Sequence, residues 1–593
     1  MTSGISLYPK KLFLLVLLTL ILHGSVVLNG FAGDDAIIFI NNTFYRSFSN
    51  IGMLFSQDYT TRPEVLIKHE SANKGSGSIA YRPVLSLTYF LDVKLWGDKA
   101  GGLHGTNLLL HLLNTILIFL LLSEFFISPQ AAFVAAILFS AHPVQSEAVA
   151  AIGYRADLLV VFFSLLSLGC WCIFRRQGAG LWAAGAVAVF FLAIFSKETA
   201  LFLPLMFILY DRLYPGNFRA KTDSVWFLLF GAVMALYLYC YVIIFPNQTV
   251  LGVWGGWSLL KHAGLVITAL GINLRAFCLP ANLISFPGLY LPRLLSAVTI
   301  EFWVLFFLCA GYFIWVIRAI VIKDRPVFWG LWFLLTYLPV SNLIPTWNPI
   351  ALRYLYMPGI AVWVLLGVLY DKVYQGNAPA FKGLARWGMV LLIGLCASAT
   401  FYNERLWKDN MTIGLAWIAK YPKDHKGYEV AGEAAVNAGN YDDGIKYNEM
   451  AIALAPFTDE TPSAPVIGMV KAYLAKNDVM SAELYLRTYM KVDRYPVGMF
   501  LLGHIFEQKG DVAAALHAYA DAVQGSSDYK YGEDMIRLSL QFSEYAAAAW
   551  AFDQEMARAD SIETKKIWQY VYAHYLNEYV YDDTRKVCSL NLR

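Results

Sequence analysis

The sequence predicts an all-α protein, a polytopic bundle of membrane helices followed by a solenoid of paired helices. Three observations carry that expectation. Hydrophobic residues make up 58% of the 593 residues and charged residues only 15%, against roughly 45–50% and about 25% in ordinary globular domains. Long apolar runs recur up to residue 403 and then stop. Beyond that point a repeat of about 34 residues sets in. Mean hydropathy is +0.50. This composition excludes disordered, collagen-like and coiled-coil chains, and a net charge of +3, thinly spread, argues against a nucleic-acid binder. The seven cysteines lie mostly inside apolar runs and form neither a metal-ligand spacing nor a disulfide framework.

The apolar runs are 12–28, 106–122, 130–141, 157–174, 181–195, 199–210, 225–245, 299–321, 327–340, 356–370 and 387–401. Several approach the ~20 residues that a spanning helix needs, and the shorter ones have apolar neighbours that extend them. About eleven spans are expected. The first run follows Lys10 and Lys11, as a cleaved signal peptide would. No clear A-x-A site comes after it, so it reads as a retained first helix. Three regions are expected: a membrane domain over 1–403, a linker over 404–423 and a repeat domain over 424–593.

Positive charge in short loops sets the orientation. With Lys10 and Lys11 inside, Arg175-Arg176 and the stretch Arg212 to Lys221 also fall inside. The later clusters, Arg318 to Arg325 and Lys372 to Arg386, fit only if Ser258 to Pro280 does not span and lies instead as a re-entrant or surface helix. The loop from about Gly30 to Leu103, the segment His142 to Asp157, Lys197-Glu198 and Ser341 to Arg353 then share the outer face, with the repeat domain. Isolated charges such as Lys261 read as interfacial anchors. The convergence of many ionisable groups on one face reads as a site.

The first repeat, HKGYEVAGEAAVNAGNYDDGIKYNEMAIALAP from His425, follows the logic of two antiparallel helices. Gly432 and Ala451 allow close packing, Gly439-Asn440 makes the turn and Pro456 ends the second helix. FLLGHIFEQKGDVAAALHAYADAV repeats the pattern with Gly503, Gly510, Ala515, Tyr519 and Ala522. Ala482 and Tyr485 mark a degenerate unit between them, and Tyr545, Ala548 and Phe552 mark another after them. The array resembles tetratricopeptide repeats, which stack into superhelices with a concave peptide-holding face. A packing or dimerisation platform is the alternative use.

In the membrane half, Asp34-Asp35 stands in GFAGDDAIIFINN, directly after the first helix. Further polar motifs are Tyr81-Arg82-Pro83, His104 with Asn107 and His111, His142-Pro143, Glu147-Ala148-Val149 and Arg155-Ala156-Asp157. Lys197-Glu198, Ser341-Asn342 and Arg353-Tyr354-Leu355-Tyr356 complete the set. In this order and spacing the chain resembles, over essentially its full length, the transmembrane-and-tetratricopeptide proteins related to protein O-mannosyltransferases, in the GT-C glycosyltransferase superfamily. The resemblance implies a GT-C-type bundle of about eleven spans. It also implies an enzyme that takes a sugar from a polyprenyl-phosphate carrier at the non-cytosolic face and passes it, with inversion, to an acceptor hydroxyl, usually of a protein. It further implies a bacterial relative, with the outer face in the periplasm, and no cofactor or obligatory metal.

Such a transfer needs a base for the acceptor hydroxyl and cations or donors for the departing phosphate. Asp35 is the candidate base with Asp34 assisting, and the two roles are exchangeable. Arg353 is the candidate phosphate ligand, with Lys197 and Arg155 beside it, because arginine offers a fixed fork of donors and lysine a point charge. Arg82 belongs to the same set of outer-face cations. Glu147, Asp157 and Glu198 could fix these cations or bind sugar hydroxyls. Tyr354 and Tyr356 could line the lipid or sugar path, and belt anchoring explains them equally well. His104 and His142 read rather as structural groups at helix ends. Two alternatives remain open. The same fold could glycosylate a cell-envelope glycolipid or polysaccharide, or the chain could be a non-enzymatic repeat-bearing scaffold.

Overall fold

The computed structural model describes residues 8–35, 38–39, 44–55, 81–214, 220–244, 259–278, 300–322, 324–344, 348–376, 379–455, 463–489, 496–525, 529–542, 548, 551, 554, 579–582 and 587–590. The chain divides into two compact units, with the boundary between Asp409 and Asn410; the second also takes in 44–47.

The first unit is helical. Its helices are α1 (Tyr8–His23), α2 (Pro83–Trp96), α3 (Ala100–Phe125), α4 (Pro129–Ala141), α5 (Ser146–Ala150), α6 (Arg155–Gln177) and α7 (Gly180–Ile194). They continue as α8 (Leu203–Leu213), α9 (Ala220–Ile244), α10 (Leu259–Cys278), α11 (Ile300–Val321), α12 (Val327–Tyr337), α13 (Gly359–Gln375) and α14 (Pro379–Leu406). Among the described residues, five helical stretches are long and apolar enough to cross a membrane: 8–28, 100–125, 152–177, 224–243 and 379–406. The bent pair α4–α5 makes a sixth if it is one span. Eleven spans were expected. The difference lies in helices such as α7 and α12, which are apolar but shorter than a span requires. α10 forms over the segment expected to be re-entrant or surface-lying, and its Leu265, Ala269 and Ala276 are buried. α2 falls inside the stretch read as a long outer loop; its 14 residues are too few to span.

Small residues bring the helices together. A Cβ on Gly367 of α13 would lie 2.4 Å from the Ala131 carbonyl of α4, so glycine alone permits that approach. α6 ends at Gly178, whose φ of 74° is the left-handed cap that glycine adopts without strain. Beside it Arg175 pairs with Asp211 of α8, over the face of Trp171.

The second unit begins with α15 (Asn410–Lys420) and continues through α16 (His425–Asn437), α17 (Tyr441–Leu454), α18 (Ser463–Ala475), α19 (Val479–Tyr489), α20 (Pro496–Lys509), α21 (Val512–Gly525) and α22 (Tyr529–Gln541). Each helix packs on the next in chain order. Val466, Val470, Leu486, Leu501 and Ile505 form a shared core. The expected turns occur at Gly439 and Gly510, with φ of 80° and 78°. A Cβ on Gly432 would lie 2.5 Å from Asn448, and one on Gly503 would lie 2.4 Å from the Tyr519 ring. Pro456, Tyr545 and Phe552 lie outside the described residues; Ala548 is buried.

The span 404–423, expected as a linker, is largely helical. Residues 404–406 finish α14, and α15 packs on α16 so tightly that a Gly414 Cβ would lie 2.7 Å from the Ala431 nitrogen. Its Ile413, Gly414 and Trp417 share one buried helical face, and the Trp417 indole donates to Asp424, the N-cap of α16. The tail also holds an antiparallel hairpin, β1 (Tyr579–Asp582) with β2 (Val587–Leu590), pairing Tyr579 with Leu590 and Asp582 with Val587.

Candidate active site

The two acids after α1 have opposite environments. Asp34 is exposed and Asp35 is fully buried. The Asp35 carboxylate accepts the backbone N–H of Gly153 at 2.7 Å, and those of Ile152 and Ala32 at 3.3 Å each. Burial pushes its pKa up to about 7, against the three N–H donors that favour the charged form. Gly153 is required by this approach, since a Cβ there would meet Ile38 at 3.1 Å and the Asp35 carboxylate at 3.3 Å. Asp35, the expected base, is thus engaged with backbone donors, while its neighbour Asp34 stands exposed.

The segment that holds Asp35 leads to the cations. Tyr154, next to Gly153, lies under the Arg353 guanidinium, 3.9 Å from ring centre to cation. Arg353 forms a buried ion pair with Glu147, whose second carboxylate oxygen accepts the Leu352 backbone N–H at 2.9 Å. Burial opposes the charge on Arg353. Tyr154, Glu147, Tyr354 and Asp157 outweigh it and hold the guanidinium well above the ordinary arginine pKa. The Tyr354 ring lies between two cations, 5.1 Å from Arg353 and 5.7 Å from the Lys197 ammonium. Its hydroxyl donates to the Asn348 carbonyl at 3.0 Å.

Lys197 pairs with Asp157 at 2.5 Å. Burial draws its pKa below the ordinary lysine value, Asp157 opposes that, and Arg82 adds to it. Arg82 pairs with Glu198 at 3.2 Å. Three cations, each on its own carboxylate, thus line one strip that starts at the acids. Asn342 holds the neighbouring loop: at φ 64° its side-chain amide donates to the Pro349 carbonyl at 2.7 Å.

Several of the singled-out residues stand apart from the strip. Arg155 is fully buried, and every arm of its guanidinium is engaged. It pairs with Asp92 at 2.6 Å and donates to Asn107 at 2.7 Å, to the Leu103 carbonyl at 3.0 Å and to Thr88 at 3.2 Å. It ties α2, α3 and α6 together. His104 is also buried and donates from Nε2 to the Gly30 carbonyl at 3.1 Å. His142 holds the Phe277 carbonyl at 3.2 Å and stacks near Trp363, a structural role at a helix end. Tyr356 lies not on the strip but among buried polar groups, with its hydroxyl bonded to His111 at 2.8 Å and to Asn114 at 3.2 Å.

Sequence reasoning missed Asp92, Gly153 and Tyr154. The run GYRAD carried a signal for two of them, a glycine and an aromatic directly before a buried arginine. Among the described residues, no three His, Cys, Asp or Glu come together in a way that could hold a metal ion.

The fold and this strip define a multi-pass membrane protein whose helix-connecting segments gather an acid-bearing loop and a row of paired cations. Its relatives are named for one chemistry. Over 480 residues the chain is 25% identical to the protein O-mannosyl-transferase F38B6.6 of Caenorhabditis elegans, covering 75% of this chain and 63% of that protein. It is 22% identical over 486 residues to the protein O-mannosyl-transferase TMTC3 of Homo sapiens, covering 75% and 52%. It is 29% identical over 211 residues to TMTC4 of Homo sapiens, covering 32% and 27%. The relatives thus carry the family name that the motifs implied, and the chain spans between about half and two thirds of the length of the first two. No family model matches. Among solved structures, the oligosaccharyltransferase of Archaeoglobus fulgidus aligns with a TM-score of 0.39 at 15% identity, covering 77% of this chain and 60% of that one.

Proposed function

We propose that this protein is a membrane glycosyltransferase that moves a sugar from a polyprenyl-phosphate carrier to a hydroxyl of an acceptor protein, at the non-cytosolic face. The observation that carries the reading is the pairing of an exposed Asp34 with a strip of three buried or half-buried cations, Arg353, Lys197 and Arg82. Base and leaving-group stabiliser are the two demands of the reaction. Asp34 takes the proton of the acceptor hydroxyl. The hydroxyl oxygen bonds to the anomeric carbon as the carbon–oxygen bond to the phosphate breaks, and the electron pair leaves on the carrier phosphate. A single displacement inverts the configuration. Arg353 meets the departing phosphate, with Lys197 and Arg82 beside it, while Glu147, Asp157 and Glu198 hold the cations in place. Asp35 fixes the loop that presents Asp34. No cofactor takes part. The repeat unit, read as a tetratricopeptide array, holds the acceptor segment. The charge pattern of the loops supports an outer location for site and repeats; the membrane proposed is a bacterial inner membrane, with the site in the periplasm.

The test uses full-length protein in nanodiscs, offered a panel of radiolabelled polyprenyl-phosphate sugars with candidate acceptor proteins. Consumption of one donor by the wild type, and near loss of it in folded Asp34→Asn and Arg353→Ala, is the expected result. No consumption of any donor would sink the transferase reading. Full activity of a chain lacking 410–593 on protein acceptors would sink the role of the repeats.

A further inference from the structure

We infer that the end of the last membrane helix, centred on Trp407, is a positioning element for the acid-bearing loop; the inference rests on the transferase reading above. The contacts converge from several directions. The Gly30 N–H donates to the Lys408 carbonyl at 2.9 Å, and the Asn29 side chain reaches the Glu404 carbonyl at 3.5 Å. The Glu404 carboxylate pairs with His23 at the end of α1, and His23 bonds through Nε2 to the Ser140 carbonyl at 2.8 Å. Residues 404–408 therefore grip both the helix that precedes the loop and the first residues of the loop.

Trp407 itself reaches the two sides of the site. Its ring lies 3.5 Å from where a Gly33 Cβ would stand, directly before the acids. On the other side it meets the Tyr154 ring edge-on, with centroids 5.9 Å apart, and Tyr154 is the ring under Arg353. Gly33 has φ of 60°, so the backbone turns sharply there, and a side chain would be strained. One indole thus sets the spacing between the loop that carries Asp34 and the aromatic platform that carries the phosphate-facing guanidinium. Reacting groups must be held to within a fraction of an ångström, and a misplacement of about 1 Å can cost on the order of 100-fold in rate.

A residue that only packed the bundle would, on truncation, loosen the bundle generally. A positioning residue changes the loop and the turnover number and leaves donor binding alone. The experiment compares wild type, Trp407→Ala and Trp407→Phe, full length in nanodiscs, by donor-consumption kinetics and by hydrogen exchange resolved to the peptide over 29–35. The expected result for Trp407→Ala is a fall in kcat of roughly 10- to 100-fold with donor KM within about twofold, together with faster exchange confined to 29–35. Trp407→Phe, which keeps a ring against Tyr154, recovers most of the turnover. An unchanged kcat, unchanged exchange over 29–35, or exchange that rises throughout the membrane unit would each overturn the inference. If the wild type consumes no donor, the transferase reading fails, and local exchange over 29–35 still decides whether Trp407 holds the loop.

Discussion

The Asp35 carboxylate accepts the Gly153 N–H at 2.7 Å, which fastens the acid-bearing loop to the segment that carries Tyr154 and Arg155. One acid of the doublet is therefore an anchor and the other is the exposed group. Asp34→Asn should leave the unfolding midpoint unchanged and lower donor turnover by about 10²- to 10⁴-fold, the range a general base contributes. Asp35→Asn should instead destabilise the protein by about 1–3 kcal/mol, because in either orientation the new amide turns a donor toward a backbone N–H. Thermal unfolding beside turnover separates the two; equal stability losses in both variants would refute the division of roles.

The pH dependence of stability gives a second check on Asp35. Its pKa in the folded protein is raised by burial to about 7, above the unfolded value of 3.8. The folded state thus binds the proton more tightly, so the stability Asp35 contributes is largest below pH 4, falls between about pH 4 and pH 7, and is constant above that. Relative to Asp35→Asn, which has no charge to lose, the wild-type midpoint should decline over that window. A relative rise would mean that the three N–H donors win over burial and hold the carboxylate ionised.

Arg353 and Glu147 form a buried pair, and removing one partner strands the other. Arg353→Ala or Glu147→Ala should each cost about 3–5 kcal/mol, whereas Arg353→Met with Glu147→Leu should recover most of the stability and none of the turnover. Chemical denaturation and donor assays on the three variants read this directly. Turnover in the double variant would exclude Arg353 from phosphate stabilisation.

In the second unit, Gly503→Ala places a methyl group where the Tyr519 ring stands, 2.4 Å away. The Tyr519 hydroxyl also donates to Glu507 at 2.7 Å, so the ring cannot easily move aside. A loss of about 1–3 kcal/mol in that unit is expected, seen as a lower unfolding midpoint of the repeats with donor consumption on a small acceptor unchanged.

Much of the site was legible because its chemistry lies in short, charged runs set in an apolar chain, where an ionisable group stands out. Asp34-Asp35, Glu147, Lys197-Glu198 and Arg353 all come to one strip. The partners of Arg155 were not legible because they arrive from elsewhere: Asp92 and Thr88 sit on a helix that read as loop, and only the fold turns them toward the guanidinium. Trp407 went unseen because an aromatic near a helix end is ordinary in a membrane protein. The degenerate second repeat hid its turn in the same way, since Asn477 takes the left-handed conformation, at φ 59°, where the other units have glycine. The count of spans was less legible, because apolar runs record burial as well as lipid contact, and helices such as α7 and α12 are apolar without reaching the length of a span.

The one-to-one matching of Arg353, Lys197 and Arg82 with Glu147, Asp157 and Glu198 leaves the strip with little field beyond its own walls. Each cation is already neutralised at contact distance, so under the proposed reading an approaching lipid phosphate would feel almost no pull until it displaced or shared a carboxylate. Donor capture would then be governed by diffusion within the bilayer and by local exchange of ion partners, not by long-range steering. Its association rate should then be nearly indifferent to ionic strength, unlike that of an open basic cleft.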